Sequence, residues 1–264
     1  PAAVLGADGA AARGRVLRVD VLGPFAMARD GECVPAEALP VGKTRELLLY
    51  LLLHARATKD EIGLALWPEA SAAQVRNIFH VTLHQLRRQL GEAPWIVCER
   101  QGYRLQRAPA AEVVLDADVD AVLAAAARLR QAARRQEPLD APTLDALRDA
   151  LERARGELAP ASAAEWLVPH QDHLRAAWAD AMDALAVRYT AAGRPADAAA
   201  ACERLVAREP LRESAHRHLM AALVALGEPA RARAHYDALV ALLAREVGAR
   251  PARETQALAE RLAG

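Results

Sequence analysis

At 264 residues the chain exceeds the ~100 to 200 of a usual single domain, so two domains are expected, each large enough to bury a core. Alanine and leucine dominate and only 4% of residues are aromatic, the composition of packed helices more than of sheets. Lys and Arg number 34, as do Asp and Glu, so total charge gives no case for nucleic acid, and any such case must rest on an uneven distribution.

Residues 1–14, PAAVLGADGAAARG, read as a flexible tail or linker, and without an initial Met an upstream domain stays open. Residues 16–34 read as short strands. Leu17, Val19 and Val21 alternate with Arg18 and Asp20, and Arg29-Asp30-Gly31 supplies an Asp-Gly hairpin turn, which together predict a small antiparallel sheet. Three helices follow. GKTRELLLYLLLHA (42–55) is strongly apolar; Thr58 with Glu61 forms a capping box that opens a helix stopped near Trp67-Pro68; Ser71 with Gln74 forms a second box. The helix opened by that second box contains VRNIFHVTLHQLRRQLG and ends at Gly91. WIVCERQGYRLQ (95–106) then predicts a hairpin around Glu99-Arg100-Gln101-Gly102, with the glycine at its tip. Strand hairpin, three helices, strand hairpin is the layout of a winged helix-turn-helix.

From about residue 109 the pattern changes. APAAEV reads as a linker, and helices are expected near 116–135, 143–155, 163–192, 195–208, 211–226, 229–247 and 251–262, the third anchored by Trp166, Trp178 and Tyr189. Gly193-x-Pro195-Ala196 recurs as Gly227-x-Pro229-Ala230, and a shift of 34 residues superimposes Leu185 on Leu219, Ala198 on Ala232, Leu205 on Leu239 and Val206 on Val240. Thirty-four is the tetratricopeptide period. The predicted organisation is a tail at 1–14, a winged-helix domain at 15–108 and a helical domain at 109–264. The fold class is mainly α: an α+β winged helix-turn-helix followed by an all-α tetratricopeptide-like half.

Several sites invite chemistry. Val41-Gly42-Lys43-Thr44 resembles the end of a phosphate-binding loop, but position 37, where the loop requires Gly, holds Glu37; a helix start is the simpler reading. His80 with His84, His170 with His173, and His216 with His218 have metal-compatible spacing, yet no neighbouring carboxylate or cysteine completes a ligand set. Cys33, Cys98 and Cys202 form no CxxC pair, which points to a reduced cytoplasm rather than a disulfide framework. No nucleophile–base signature appears, so neither an enzyme nor a cofactor is expected. No apolar run reaches the ~18 to 20 residues a membrane span needs.

The third helix is the strongest candidate. At 100° per residue, Val75, Ile78, Phe79, Thr82, Leu83, Leu86 and Leu90 gather on one side. Asn77, His80, Val81, His84, Arg87 and Arg88 lie on the other, flanked by Arg76 and Gln85. These are groups suited to phosphates and base edges, with Val81 suited to a thymine methyl. Residues 76–107 hold six arginines (Arg76, Arg87, Arg88, Arg100, Arg104 and Arg107) against Glu92 and Glu99, a local excess of four positive charges in a neutral chain. Arg100 at the hairpin tip suits a minor groove, while Arg87, Arg88 and Arg104 suit phosphates.

With those residues assembled, the sequence resembles the streptomycete antibiotic regulatory protein (SARP) family, which joins an OmpR/PhoB-type winged helix to a bacterial transcriptional activator domain of tetratricopeptide-like helices. The resemblance runs from about Leu17 to Leu262 through LRVDVLGPFAMARDGE, ALWPEAS, VRNIFHVTLHQLRRQLG, WIVCERQGYRL, DVDAV, RGELAP, EPLRESAHRHLMAALVALG and EVGARPARETQAL. It implies an activator that reads the major groove of double-stranded promoter DNA with its third helix and the minor groove with its wing. Asn77, His80, Val81, His84, Gln85, Arg87 and Arg88 would form the helix face and Arg100 the wing contact. It also implies direct repeats bound by cooperating protomers, contact with RNA polymerase holoenzyme, and self-association or regulation through the helical half. Histidines stand where Arg or Lys is common in winged regulators, so tight binding is expected to need two or more protomers. A protein-interaction adaptor and a ligand-sensing regulator are the alternatives.

Overall fold

The computed structural model describes residues 15–35, 41–91, 94–100, 102–110 and 113–263, with the side chains of 262 and 263 left aside. The predicted tail at 1–14, and Glu37, Glu92 and Gln101, lie outside the described residues. The chain forms two compact units. One runs to Asp120 and includes Arg155–Gln171; the other is Ala121–Ala154 with Asp172–Gly264.

In the first unit, β1 (Arg15–Asp20), β2 (Ala26–Arg29) and β3 (Glu32–Val34) form the expected antiparallel meander. Its tight turn is Asp30-Gly31, with φ of 51° and 89°, the left-handed pair that a type I′ hairpin requires. Alternation holds through Val19, with Leu17 and Val19 buried and Arg18 facing out, but Asp20, expected outward, is buried, where it pairs with Arg155 at 3.1 Å.

Three helices follow: α1 (Lys43–Leu53), α2 (Lys59–Leu66) and α3 (Ala72–Leu90). Leu47 through Leu52 of α1 are all buried, which explains why that stretch is apolar on every side. The second sheet has the order β4-β6-β5, from β4 (Ala57–Thr58), β5 (Ile96–Glu99) and β6 (Gly102–Leu105).

Two expectations in this unit are corrected. The segment read as linker and helix start is a strand, β7 (Val113–Ala117), which pairs in parallel with β1, Leu17 opposite Leu115, and so makes the first sheet mixed rather than purely antiparallel. Leu115 and Ala117 are buried, and this burial, not a helical period, fixes the segment. Beyond β7, Asp118 is fully buried, and its carboxylate accepts the amides of Val21 (2.9 Å), Leu22 (2.7 Å) and Val119 (2.7 Å). Burial pushes its pKa up, with Asp20 adding to the rise and the three amides opposing it. Trp166 does not anchor a long helix. It sits in a 3₁₀ turn (Glu165–Leu167), half-buried, with its ring 5.0 Å from that of Tyr50 on α1.

The second unit takes in most of α4 (Asp118–Arg135), α5 (Ala141–Glu152), most of α6 (Val168–Ala191), α7 (Pro195–Arg208), α8 (Glu213–Ala225), α9 (Pro229–Val247) and α10 (Arg253–Ala263). The repeat is structural as well as sequential. Gly193 and Gly227 both take positive φ, 68° and 77°. Each is followed by a residue whose amide reaches back to close the preceding helix, Arg194 to Tyr189 (2.9 Å) and Glu228 to Leu223 (2.9 Å). Pro195 and Pro229 then open α7 and α9 at the position where a missing N–H costs nothing. Leu185, Leu219, Ala198, Ala232, Leu205 and Leu239 are all buried, as a stacked helix-pair array requires. Trp178 and Tyr189 are buried in α6 as expected, their Nε1–H and O–H donating to the carbonyls of Leu151 and Leu144.

Candidate nucleic-acid interface

The pair α2–α3 is built by two reciprocal capping boxes. Thr58 accepts from the Glu61 amide (3.2 Å) while the Glu61 carboxylate accepts from the Thr58 amide (2.7 Å). Ser71 and Gln74 repeat the exchange at the start of α3. Gly63 on α2 lets the helices meet closely: a Cβ there would lie 2.6 Å from the Val75 side chain. Gly91 ends α3 with φ of 94°.

The inner side of α3 consists of Val75, Phe79, Thr82, Leu83, Leu86 and Leu90, all buried, with Ile78 at the margin. Phe79 is fully buried and meets Tyr103 of β6 edge to face at 4.8 Å, which ties the helix to the hairpin. The eight candidate residues of the opposite side, Arg76, Asn77, His80, Val81, His84, Gln85, Arg87 and Arg88, are all exposed. Val81 is 59% exposed, an apolar side chain that no core contact explains. Among the described residues, no hydrogen bond or ion pair engages the side chains of Arg76, Asn77, His84 or Arg88.

Among the described residues, three candidates make a side-chain hydrogen bond or ion pair. Arg87 donates to the Ile96 carbonyl at 2.9 Å, clasping the base of β5. Gln85 accepts from the Thr44 hydroxyl at 3.2 Å, which brings the start of α1 to the edge of this face; Lys43, Thr44, Gln85 and Arg88 line one groove. Arg104 pairs with Glu99 across the hairpin at 2.9 Å. The Gly42-Lys43-Thr44 stretch is a helix start, Lys43 engaging Glu46 in its own first turn.

The hairpin differs from expectation at its glycine. Glu99 pairs with Gly102, so Gly102 lies in the strand rather than at the tip, and Arg100 is the described residue beyond the last pair. Arg100 is exposed and takes φ of 47°. Its carbonyl accepts from Arg56 at 2.5 Å, a residue that local sequence patterns do not single out because 44 positions separate the two.

The histidines part from their sequence pairings. His216 bonds His235 at 2.8 Å and the Pro210 carbonyl at 2.9 Å, not His218, which pairs with Asp183. His170 packs edge-on against His54 at 4.9 Å. His80 and His84 stand exposed on α3.

The family described as bacterial transcriptional activator domain matches residues 115–263, more than half of the chain. Among solved structures, the chain is similar to one titled Mycobacterium tuberculosis EmbR in complex with low affinity phosphopeptide, with 25% sequence identity and a TM-score of 0.70. That match covers 94% of this chain and 65% of the other, so the chain spans just under two thirds of the relative's length. No curated protein matches the sequence.

Proposed function

Because the chain belongs to the bacterial transcriptional activator domain family, we propose that it is a transcriptional activator of the SARP type that binds promoter DNA sequence-specifically. The observation that carries the reading is the outer side of α3: eight exposed side chains, seven of them donors or acceptors and one apolar, on a helix whose opposite side is core. Arg76 to Arg88 covers about 18 Å of helix at 1.5 Å per residue, enough to cross a major groove about 12 Å wide.

Each group has a role that its chemistry suits. Asn77 and Gln85 can pair with adenine through N6 and N7, Arg76 with guanine, His80 and His84 with acceptor edges, and Val81 with a thymine methyl. Arg87, Arg88 and Arg104 neutralise phosphates, and Arg100 enters the adjacent minor groove from the hairpin, which acts as the wing. DNA reading is assigned to residues 15–108. Activation and self-association belong to residues 109–264, whose 34-residue repeats supply the stacked helix pairs that protein-binding arrays use. Only three of the eight outward side chains of α3 are arginines, so one protomer binds weakly. Direct repeats let cooperating protomers reach useful affinity, and RNA polymerase is the partner they recruit. Among the described residues no helix is long and apolar enough to cross a membrane, which accords with work in the cytoplasm.

Random-site selection on duplex DNA with the full chain tests the reading. A directly repeated motif should be enriched, and the Arg76→Ala, Asn77→Ala variant should lose the preference at one position in each half-site by about 5- to 100-fold. Failure to enrich any sequence, even at 50 mM salt, would leave a protein-interaction adaptor as the better description.

A further inference from the structure

The tip of the wing is held from outside the hairpin. Arg100 occupies the left-handed region without being glycine, a conformation that surrounding structure must impose. Its carbonyl is gripped at 2.5 Å by Arg56 Nη2. Arg56 directly precedes β4, whose two residues pair with β6, Ala57 opposite Tyr103 and Thr58 opposite Gly102. From that origin the Arg56 side chain runs across Gly102 to the turn.

A Cβ at position 102 would lie 2.8 Å from Arg56 Cγ and 2.9 Å from its Cζ, closer than real side-chain atoms approach. Gly102, whose own φ is ordinary, thus leaves the space in which the Arg56 side chain lies, and a side chain at 102 would make Arg56 shift. The charged neighbour of Arg56 is Glu61, held low chiefly by its hydrogen bonds to Thr58 and further by His54 and Arg56. Arg56 itself remains exposed.

We infer that Arg56 is the positioning residue of the wing: laid over Gly102 and bonded to the Arg100 carbonyl, it fixes the turn that presents the Arg100 side chain to the minor groove. The inference rests on the DNA-binding reading above and adds to it a residue on β4's leading edge, outside both the recognition helix and the hairpin. It also makes the wing and the capped start of α2 one assembly, because Thr58, which pairs with Gly102, is the cap of α2.

A double-mutant cycle on the full chain, bound to the duplex recovered by random-site selection, separates positioning from independent contact. Arg100→Ala should weaken binding about 5- to 100-fold and remove the preference for A·T pairs under the wing. Arg56→Ala and Gly102→Ala should reproduce part of that loss together with the lost A·T preference, whereas Arg56→Ala in the Arg100→Ala background should cost nothing further. Arg56→Lys, which keeps one donor, should recover part of the affinity. Additive losses would make Arg56 a phosphate contact in its own right and overturn the inference, as would unchanged affinity in Arg56→Ala. Amide hydrogen exchange at residues 98–104 gives a reading that needs no DNA. Faster exchange there in Arg56→Ala, with the melting temperature held, is expected, and unchanged exchange defeats the positioning role even if no duplex is ever enriched.

Discussion

Arg87 and Arg88 are adjacent, exposed and chemically identical, yet they stand in different circumstances. Arg88 engages no described residue, so its removal should act on DNA alone. Arg87 donates to the Ile96 carbonyl, so it also braces the wing against α3. Arg88→Ala should flatten the log–log salt dependence of duplex affinity by about 0.9, one phosphate's worth, and leave the melting temperature unchanged. Arg87→Ala should change that slope and also cost about 0.5–1.5 kcal/mol of stability, the net worth of one hydrogen bond. Anisotropy titrations between 50 and 200 mM salt, alongside calorimetric melts, read both quantities; equal melting temperatures for the two variants would refute the distinction. At this scale the sequence separates inner from outer residues of α3 well, because a 3.6-residue period is local information carried by Val75, Phe79, Leu83 and their neighbours. It is silent on Thr44 with Gln85 and Arg56 with Arg100, partners brought together by the fold.

Among elements, the helices of the second unit were the most legible. Pro195 and Pro229 mark starts, Gly193 and Gly227 mark stops, and α9 spans Pro229–Val247 as the periodicity predicts. Strands were harder. β4 has two residues, too few for a period, and β7 runs into α4 without a glycine or proline between them, so Val113-Val114-Leu115 reads as the lead-in to a helix. The junction of α8 and α9 carries a titration prediction. His216 donates through Nε2 to the Pro210 carbonyl, so its Nδ1 accepts from His235 Nε2, an arrangement that requires the His216 ring neutral. Burial lowers the pKa of both from 6.5; the Pro210 carbonyl and Glu213 oppose this for His216, and a charge on His216 lowers His235 further. A histidine depressed in the folded state binds fewer protons than in the unfolded state, so its stabilisation is complete above about 6.5 and is lost as pH falls below it. Asp183 on α6 titrates in a separate window. Burial raises its pKa, but bonds from His218, Ser214 and Arg212 outweigh that and hold it at about 2, so its contribution persists until the pH falls below about 3.8. Urea midpoints should therefore drop between pH 7.5 and 5.5. His235→Gln, which keeps a donor facing Nδ1 of His216, should show a shallower decline; parallel profiles would remove the pair from the explanation.

For the whole molecule, the region assigned to DNA reading and the unit that folds around it have different limits. The first unit draws on β7, on Asp118 and on Arg155–Gln171, so the chain leaves it after Asp120, returns at Arg155 and leaves again after Gln171. The returning segment is hydrogen-bonded by backbone to the residues just beyond β1: Ala159 to the Val21 carbonyl (2.8 Å), Arg155 to the Leu22 carbonyl (3.0 Å) and Gly23 to the Glu157 carbonyl (2.8 Å). A fragment of residues 15–108 contains every candidate DNA contact, yet it strips β1 of its parallel partner. The loss of buried Leu115 forfeits about 1.5–3 kcal/mol. The amides of Val21 and Leu22, which Asp118 satisfies, would cost about 1–3 kcal/mol each if left buried without acceptors. Against a total stability of about 5–15 kcal/mol, these losses are decisive. Residues 15–108 should be largely unfolded by circular dichroism and bind duplex DNA only weakly. Residues 15–120 should recover cooperative urea unfolding, with a midpoint still below that of the first unit in the full chain, where 155–171 is present. A 15–108 fragment as stable as 15–120 would mean that β7 and Asp118 decorate the winged helix rather than complete it. If the expected order holds, the region proposed to bind DNA needs a strand and a carboxylate that lie beyond residue 108 in order to fold, which makes the loss of both functions the natural consequence of cutting there.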